Sequence, residues 1–318
     1  MGKEIPPQNS IREEPPYRCP YFDNRACPRY CLDSIIYQNP GSTVSLGRCP
    51  RFEDSYVLLS TPAAGLKDYY DASRLEEYRA YYEPFRRRRF ADLFRLPILN
   101  SYSGISALDI GCGFGWFLEE LRKRGWNRLV GIDYSPVVPR SAGEGLEIVN
   151  RKFGPELELE EEFDLIILSN VLEHLWQPLD CLRWIRDHLR RESGGLLLLV
   201  VPTADGLLMR LSHRIIRDFP RLADRMVEDI YQTGSTMGHR VLYSTAGVIK
   251  LCRMAGLTVL DREVTPIIDT GNIRRRMLIE KDRLSAPDQL KAFLLKQLAR
   301  LATRRGEDDE LALVLTPA

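Results

Sequence analysis

A glycine-rich turn between a strand and a helix constrains the fold of this chain more than any other segment. The stretch reads "SALDIGCGFGWFLEEL", and glycine stands at every second position of its middle, at Gly111, Gly113 and Gly115. The residues before the turn are apolar, and those after it have helical spacing. Because glycine lacks a Cβ, such a turn lets backbone amides and the positive end of a helix approach a ligand closely. The segment therefore predicts a ligand site at the end of a strand.

The spacing of the glycines disfavours a dinucleotide-dependent dehydrogenase. The G-x-G-x-x-G fingerprint would need a glycine where Trp116 stands, and no phosphate-binding G-x-x-x-x-G-K-[ST] motif is present. Asp133 ends the next strand, in "LVGIDYSP". An acid at that place can accept hydrogen bonds from both hydroxyls of a ribose, although a loop aspartate can also simply cap a helix. We interpret Asp133 as a ribose ligand.

Short apolar strands alternate with amphipathic helices beyond the turn. This pattern predicts an α/β fold with a parallel, doubly wound sheet covered by helices on both faces. Strands are predicted at 106–110, 128–133, 145–150, 164–169, 195–201, 257–264 and 311–316. Helices are predicted at 115–125, 136–143, 178–190 and 244–255, with a helical lead-in that ends by Pro97, a helical insertion at 203–238 and a further helix from Pro287. That last helix carries an apolar stripe of Leu290, Phe293, Leu294, Leu298 and Leu301.

Composition narrows the function classes. The net charge of +1 argues against dedicated nucleic-acid binding, and no apolar run is long enough to cross a bilayer. The first residues lack an apolar signal segment, so a cytoplasmic protein is expected. The run Arg86 to Arg89 and the arginines of the two insertions are interpreted as solvated helix faces, with an anionic acceptor surface as the alternative.

Four cysteines are concentrated near the N-terminus. Cys19, Cys27, Cys31 and Cys49 have the spacing C-x7-C-x3-C-x17-C, and three of them precede a proline. Four thiolates can bind zinc tetrahedrally, and an iron–sulfur cluster takes the same ligands. Free thiols are the alternative. We predict a metal-binding module, with zinc favoured over an iron–sulfur cluster.

The segments resemble, in their order, those of the class I S-adenosylmethionine-dependent methyltransferases, within the group typified by ubiquinone-biosynthesis methyltransferases. The resemblance rests on "LDIGCGFG", "GIDYSP", "FDLIILSNVLEHLWQP", "GGLLLLVVPT" and "GHRVLYSTAGVIKLCRMAGLTV", which span about half of the chain. It implies a Rossmann-like sheet of seven strands and S-adenosylmethionine as cofactor.

The resemblance also assigns residues to the cofactor site. The methionine part would be surrounded by Asp109, Gly111, Gly113 and Gly115, the ribose bound by Asp133, the adenine neighboured by Tyr134, and the methyl-donor site bordered by Asn170 and Val171. Many relatives carry an aspartate after the third strand, near the adenine amino group. This chain has none there, and Asn150 is a polar substitute.

The methyl group of a sulfonium is already activated, so direct in-line transfer needs mainly alignment and exclusion of water. His239 resembles a histidine common in relatives and is the candidate general base, with a structural histidine as the equal alternative. We interpret His174 as structural, and His188 and His213 as helix-surface residues. Trp116 and Trp176 are candidates for contacting the sulfonium, although core packing is the favoured interpretation.

The sequence thus predicts a tail at 1–16, a cysteine-rich module at 17–60, a helical lead-in at 61–104 and a methyltransferase domain at 105–318 with insertions at 203–238 and 266–306. The predicted reaction is methyl transfer to an oxygen, nitrogen or carbon atom of a small-molecule, lipid or glycan-like acceptor. The alternative is a catalytically silent scaffold with a structural metal site.

Overall fold

The structure is a computed structural model that describes residues 34–38, 45–59, 75–135, 146–233, 238–280 and 283–318. The predicted N-terminal tail, the cysteines Cys19, Cys27 and Cys31, and the helix expected at 136–143 lie outside the described residues. Within the part that is described, no helix is both long and apolar enough to span a membrane.

Eleven strands, nine α-helices and two short 3-10 turns account for the regular structure of the described residues. The strands are β1 Ser34–Gln38, β2 Ser45–Cys49, β3 Ser55–Leu59, β4 Ser106–Ile110, β5 Arg128–Asp133, β6 Leu146–Asn150, β7 Leu165–Ser169, β8 Leu196–Pro202, β9 Val241–Leu242, β10 Leu257–Thr265 and β11 Glu310–Pro317. The helices are α1 Leu75–Leu93, α2 Pro97–Ser101, α3 Trp116–Lys123, α4 Pro178–Asp187, α5 Leu207–Asp218, α6 Pro220–Tyr231, α7 Thr245–Met254, α8 Ile273–Glu280 and α9 Ala286–Arg305.

Seven strands form the central sheet in the order β10-β11-β8-β7-β4-β5-β6. Strands β6, β5, β4, β7 and β8 run parallel, whereas β11 is antiparallel to both of its neighbours, β8 and β10. The chain passes from β4 to β5 on one side and later returns to β7 on the other. Ligands bind at such a reversal, outside the carboxyl ends of the strands. The seven-stranded α/β sheet predicted from the sequence is confirmed, and its reversal lies at the glycine turn.

Helices cover both faces of this sheet because successive strand side chains point to opposite faces. Leu108 and Ile110 of β4 belong to the core on one face, together with apolar residues of α4 and α7. Ala107 of the same strand belongs to the core on the other face, with Phe90 of α1 and Phe117 of α3. Both faces of β4 are fully buried, as expected for a strand at the centre of a parallel sheet.

A second, antiparallel sheet has the order β1-β2-β3-β9. Strand β3 pairs with β9 through Tyr56 and Leu242, so this small sheet is joined directly to the segment that follows α6. Cys49 ends β2 and is buried beside Phe52 in the larger core. Because the other three cysteines lie outside the described residues, the metal site predicted at the four cysteines stays a prediction.

The two predicted insertions are helical where the structure describes them. Helices α5 and α6 occupy the first, and α8 and α9 the second. Ser285 caps α9 through a capping box with Asp288. This N-cap lies two residues before Pro287, from which the helix was predicted to start. The packed face of α9 consists of Ala292, Ala299 and Ala302. Four residues of its apolar stripe are instead exposed, namely Leu290, Phe293, Leu294 and Leu301.

Helix α1 is held to the core by two of the arginines that the sequence suggested were solvated. Arg87 reaches Glu119 and Glu120 of α3. Arg89 is buried and forms an ion pair with the fully buried Glu310 of β11. At these two positions the solvated-face interpretation of the arginine run is wrong, because both guanidinium groups face neighbouring elements.

Candidate active site

The glycine turn follows β4 at the carboxyl edge of the sheet. Gly111, Gly113 and Gly115 have φ values of 73°, 52° and 75°, which lie in the left-handed region. A Cβ built on Gly111 would collide with Cγ2 of Val171, at the end of β7. The turn therefore depends on glycine both for its backbone conformation and for its close contact with the neighbouring strand. Gly115 then serves as the N-cap of α3.

Asp133 lies at the end of β5 and joins two loops of the site. Its Oδ2 accepts a hydrogen bond from the Gly113 amide at 2.9 Å, and its Oδ1 accepts one from the Ser135 amide at 2.9 Å. Burial raises the pKa of Asp133, while these two amide hydrogen bonds oppose the shift. Each carboxylate oxygen has more than one lone pair, so both can still accept a hydroxyl hydrogen bond. Asp133 thus has the acceptor atoms that a ribose requires.

Asp109 occupies the strand end that leads into the turn. Its side chain is only 4% exposed. Burial, followed by the nearby Asp133 carboxylate, raises the pKa of Asp109 well above its usual value. Two acids next to each other therefore line the start of the turn, and a positively charged ligand group would relieve their repulsion.

The loop after β5 carries the residues assigned to the adenine end. Tyr134 is 38% exposed. Asn150 ends β6, and its Nδ2 donates to the Ser135 carbonyl at 2.8 Å. Asn150 therefore braces the loop that presents Asp133. The role proposed for Asn150 at the adenine itself stays a prediction.

The end of β7 brings further polar atoms to the same edge. Asn170 has a φ of 55°, rare for a residue with a side chain. Its amide donates to Val200 at 2.8 Å. Its Oδ1 and the Oγ of Ser169 are buried, without hydrogen-bond partners in the part of the chain that is described. Buried polar groups are normally satisfied, so these two atoms suit a bound ligand that carries donors.

Three titratable side chains meet beyond this strand end. Glu173 and His174 belong to a 3-10 turn, Leu172–His174, and His239 precedes β9. The potential ligand atoms of Glu173, His174 and His239 all lie within 4.8 Å of one another. Burial raises the pKa of Glu173 to about 8. Burial, followed by the neighbouring His174, lowers the pKa of His239 well below its usual value, so His239 carries a neutral imidazole at neutral pH.

The sequence left His239 as either a general base or a structural histidine and suggested a structural role for His174, and the structure brings the two side chains together. Their rings form an edge-on pair with centroids 4.7 Å apart. The signal that could have revealed this was the adjacent "EH" pair, but nothing local in the sequence indicates that His239 packs against it.

The two tryptophans considered for the sulfonium have other partners. Trp116 is buried and stacks on Phe114 with ring centroids 5.0 Å apart. Trp176 lies under the Arg240 guanidinium, 4.1 Å from its ring centroid. Both contacts agree with the favoured interpretation of packing.

The fold and this site define a class I S-adenosylmethionine-dependent methyltransferase. A family model described as a methyltransferase domain matches residues 78–262, more than half of the chain. The chain belongs to this methyltransferase-domain family. S-adenosylmethionine is the cofactor of the class, and the polar atoms around the glycine turn fit it. The glycines have no side chains that would block a ligand at the end of β4. Asp133 offers two acceptor oxygens, and Ser169 and Asn170 offer buried oxygens without hydrogen-bond partners among the described residues.

Two curated relatives each match about a third of the chain. It is 35% identical over 119 residues to a tRNA U34 carboxymethyltransferase of Shewanella woodyi, which covers 35% of this chain and 36% of that protein. It is 34% identical over 118 residues to the tRNA U34 carboxymethyltransferase of Shewanella sp. ANA-3, covering 35% of each chain. The chain thus spans about a third of the length of the curated relatives it matches.

A solved structure supports the fold. The methyltransferase in a complex with the Haloferax volcanii Trm112 methyltransferase activator has a TM-score of 0.52 and 18% sequence identity. The match covers 78% of this chain and 95% of that one. At this identity the likeness concerns the fold alone.

The comparisons overturn one expectation. The prediction of no dedicated nucleic-acid binding is wrong, because the curated relatives are named as enzymes of tRNA U34. The net charge that motivated this prediction is a sum over the whole chain. Such a sum does not exclude a local surface that accepts nucleic acid.

Proposed function

We propose that this protein transfers a methyl group from S-adenosylmethionine to a nucleophilic oxygen, nitrogen or carbon atom of an acceptor. The observation that carries the proposal is the contact between Asp133 and the glycine turn. The Gly113 amide fixes the Asp133 carboxylate at 2.9 Å, at the point where the strand order reverses. A rigid acid beside a glycine-lined strand end is suited to a ribose next to a charged methionine group.

The chain's own residues would divide the work of binding along the sheet edge. Asp133 would accept the ribose hydroxyls, with Tyr134 beside the base. Asp109 and the glycine turn would surround the methionine part, whose ammonium and sulfonium charges compensate the buried acids. Asn170 and Val171 would border the methyl group.

S-adenosylmethionine, when bound, supplies a methyl group on a positively charged sulfur. The protein then has to align the acceptor and exclude water, which can contribute about 7–11 kcal/mol to catalysis. The acceptor would enter from the side of His239, since Glu173 and His174 of that cluster lie only one residue beyond Asn170 and Val171 in the chain. No covalent intermediate on the enzyme is required.

Small molecules, lipids and glycan-like compounds remain candidate acceptors, and the names of the curated relatives add tRNA to the classes to be tested. An anionic acceptor is compatible with helices α1 and α8, which contact each other. Arg274 and Arg275 of α8 are exposed, and Arg276 lies over the Tyr82 ring of α1 at 5.7 Å.

Calorimetry of S-adenosylhomocysteine binding tests the proposal. We expect the full chain to bind one equivalent and Asp133→Ala to lose most of the affinity, because the ribose would lose its acceptor while the strands stay intact. Asp187→Ala is the matched control, since Asp187 is exposed and pairs with its neighbour Arg186. Circular dichroism melting of each variant confirms folding.

Equal affinity in Asp133→Ala and the unchanged protein would remove Asp133 from the site. If the folded, unchanged protein bound no S-adenosylhomocysteine, the catalytically silent scaffold would replace the enzyme as the preferred function.

A further inference from the structure

We infer that Glu173, His174 and His239 form a binding site for a divalent transition-metal ion beside the methyl-donor site. This inference deepens the proposed function and rests on it for its role in catalysis. It would make the acceptor a hydroxyl-bearing compound whose oxygen completes the coordination of the metal.

Glu173 gives the first argument. Its side chain is 1% exposed, and neither carboxylate oxygen has a hydrogen-bond partner among the described residues. The ion-pair partner found for it there is His174, whose Nε2 lies 3.8 Å from Oε1. The charges of Arg86 and Arg89 favour the ionised form of Glu173 but do not offset the effect of burial, so the carboxylate remains costly without hydrogen bonds. A cation between these side chains would satisfy it.

His239 gives the second, independent argument. Its Nδ1 is buried without a hydrogen-bond partner in the described parts of the chain. The imidazole also forms a hydrogen bond with the backbone of Ile230. Because Nδ1 has no partner among the described residues, we assign this bond to Nε2, which donates to the Ile230 carbonyl. Such a hydrogen bond directs the lone pair of a metal-binding histidine toward the metal. Nδ1 is thus oriented as a ligand.

The backbone holds the three side chains in place. The Arg240 amide donates to the Glu173 carbonyl at 2.7 Å, and the His239 amide donates to the Tyr231 carbonyl at 2.8 Å. These bonds connect the 3-10 turn after β7 to the segment before β9. The ligand atoms are therefore brought within 4.8 Å of one another by elements that are far apart in sequence.

The donor set indicates the kind of metal. Two imidazoles and one carboxylate favour divalent iron, manganese, cobalt or zinc over magnesium or calcium, which prefer oxygen ligands. Three protein ligands leave coordination positions open, as in catalytic rather than structural sites.

The position indicates the role of the metal. Val171, two residues before Glu173, is in contact range of the glycine turn. A metal here would lower the pKa of an acceptor hydroxyl, whose proton leaves to solvent. The hydroxyl oxygen then bonds to the methyl carbon, and the electron pair of the broken carbon–sulfur bond stays on sulfur. His239 would accordingly act as a metal ligand instead of a general base.

Titration of the full chain with Mn²⁺, followed by electron paramagnetic resonance, tests the site. Manganese is the probe because thiolates bind it weakly, so it discriminates against the cysteine segment. We expect one equivalent to bind, and we expect Glu173→Gln and His239→Gln each to weaken binding by at least about tenfold. His188→Gln is the matched control, since both of its ring nitrogens contact backbone carbonyls. Cys27→Ser should also bind manganese normally.

Each outcome decides the matter. Absence of Mn²⁺ binding by the folded, unchanged protein, or equal binding by both cluster variants, would overturn the inference. Loss of binding in Cys27→Ser alone would assign the metal to the cysteine segment and equally overturn it. If one cluster variant fails to fold, the other carries the test. S-adenosylhomocysteine calorimetry on the same samples separates the proposals: cofactor binding without manganese rejects only the metal site, and manganese binding without cofactor rejects only the methyltransferase function.

Discussion

The His213 side chain of α5 is buried, with an exposed fraction of 3%, and the prediction that it lies on a helix surface is wrong. Its ring stacks on Tyr56 with centroids 3.7 Å apart, and its Nε2 lies 2.9 Å from the Tyr231 hydroxyl. Burial raises the pKa of Tyr231 well above its usual value, so the tyrosine is the donor in this bond. Because Tyr56 belongs to a strand of the small sheet, the sequence of α5 alone does not reveal this contact.

The burial of His213 predicts an acid-sensitive fold. Burial lowers the pKa of His213 from 6.5 to about 3. Between these values the unfolded chain binds a proton that the folded chain does not, so stability falls as the pH falls below about 6.5. The change is about 1.4 kcal/mol per pH unit. Urea unfolding between about pH 6 and pH 4.5 should show a shallower decline for His213→Gln than for the unchanged protein. Parallel curves would contradict the assignment.

Elements of the central sheet follow closely from the sequence. Strands β4 and β5 have the predicted bounds, since each is an apolar run closed by a turn or an acid. The glycine turn was predictable for the same reason: its glycines and Asp133 are encoded within neighbouring segments. The small sheet was not, because β3 gains its partner β9 from a distant part of the chain. The cluster of His239 with Glu173 depends on another long-range contact, from the Arg240 amide to the Glu173 carbonyl, and was equally hidden.

The start of β4 depends on one acid. Asp164, just before β7, accepts hydrogen bonds on Oδ2 from the Ile105 and Ser106 amides at 2.9 and 3.0 Å. Its Oδ1 accepts from Arg190 and Ser193 at 2.9 and 2.7 Å. Burial alone would raise the pKa of Asp164, but these hydrogen bonds outweigh it and keep the pKa below its usual value. One carboxylate thus connects two strands and the turn before β8.

Replacing this acid should weaken the whole sheet edge. Hydrogen bonds to a charged group contribute about 1.5–3 kcal/mol, so Asp164→Asn should lower the free energy of unfolding by about 3 kcal/mol. The physical reason is that an amide nitrogen would face donors where an oxygen now accepts. Urea denaturation at neutral pH measures the change. Asp187→Asn, at an exposed position, should leave stability almost unaltered, and a similarly small effect of Asp164→Asn would refute the proposed connection.

At the scale of the molecule, the buried pair of Arg89 and Glu310 joins helix α1 to the central sheet. Thr265 of β10 donates its hydroxyl to Glu310 at 3.0 Å, so three elements meet at this point. Both side chains of the pair are buried, with exposed fractions of 5% for Arg89 and 0% for Glu310. Removing one partner of such a pair leaves an uncompensated buried charge, whereas replacing both with apolar residues is often neutral.

A double-mutant cycle measures this connection. Arg89→Met should destabilise the protein by about 3–5 kcal/mol, and the combined Arg89→Met and Glu310→Leu variant should recover most of that loss. Thermal and urea unfolding of the two single variants and the double variant provide the free energies. Additive effects, with no recovery in the double variant, would show that the two charges do not depend on each other.

The place of β11 in the sheet has a consequence for biosynthesis. This strand is antiparallel and lies between β8 and β10, although it follows both in the chain. Strand β8 is apolar and buried over its full length in the finished molecule. During synthesis, the edge of β8 that pairs with β11 therefore stays unpaired until β11 has been made. Unpaired apolar edges are where nascent chains associate wrongly, so a chaperone that shields β8 would be of greatest use while the residues from β9 to β11 are still being added.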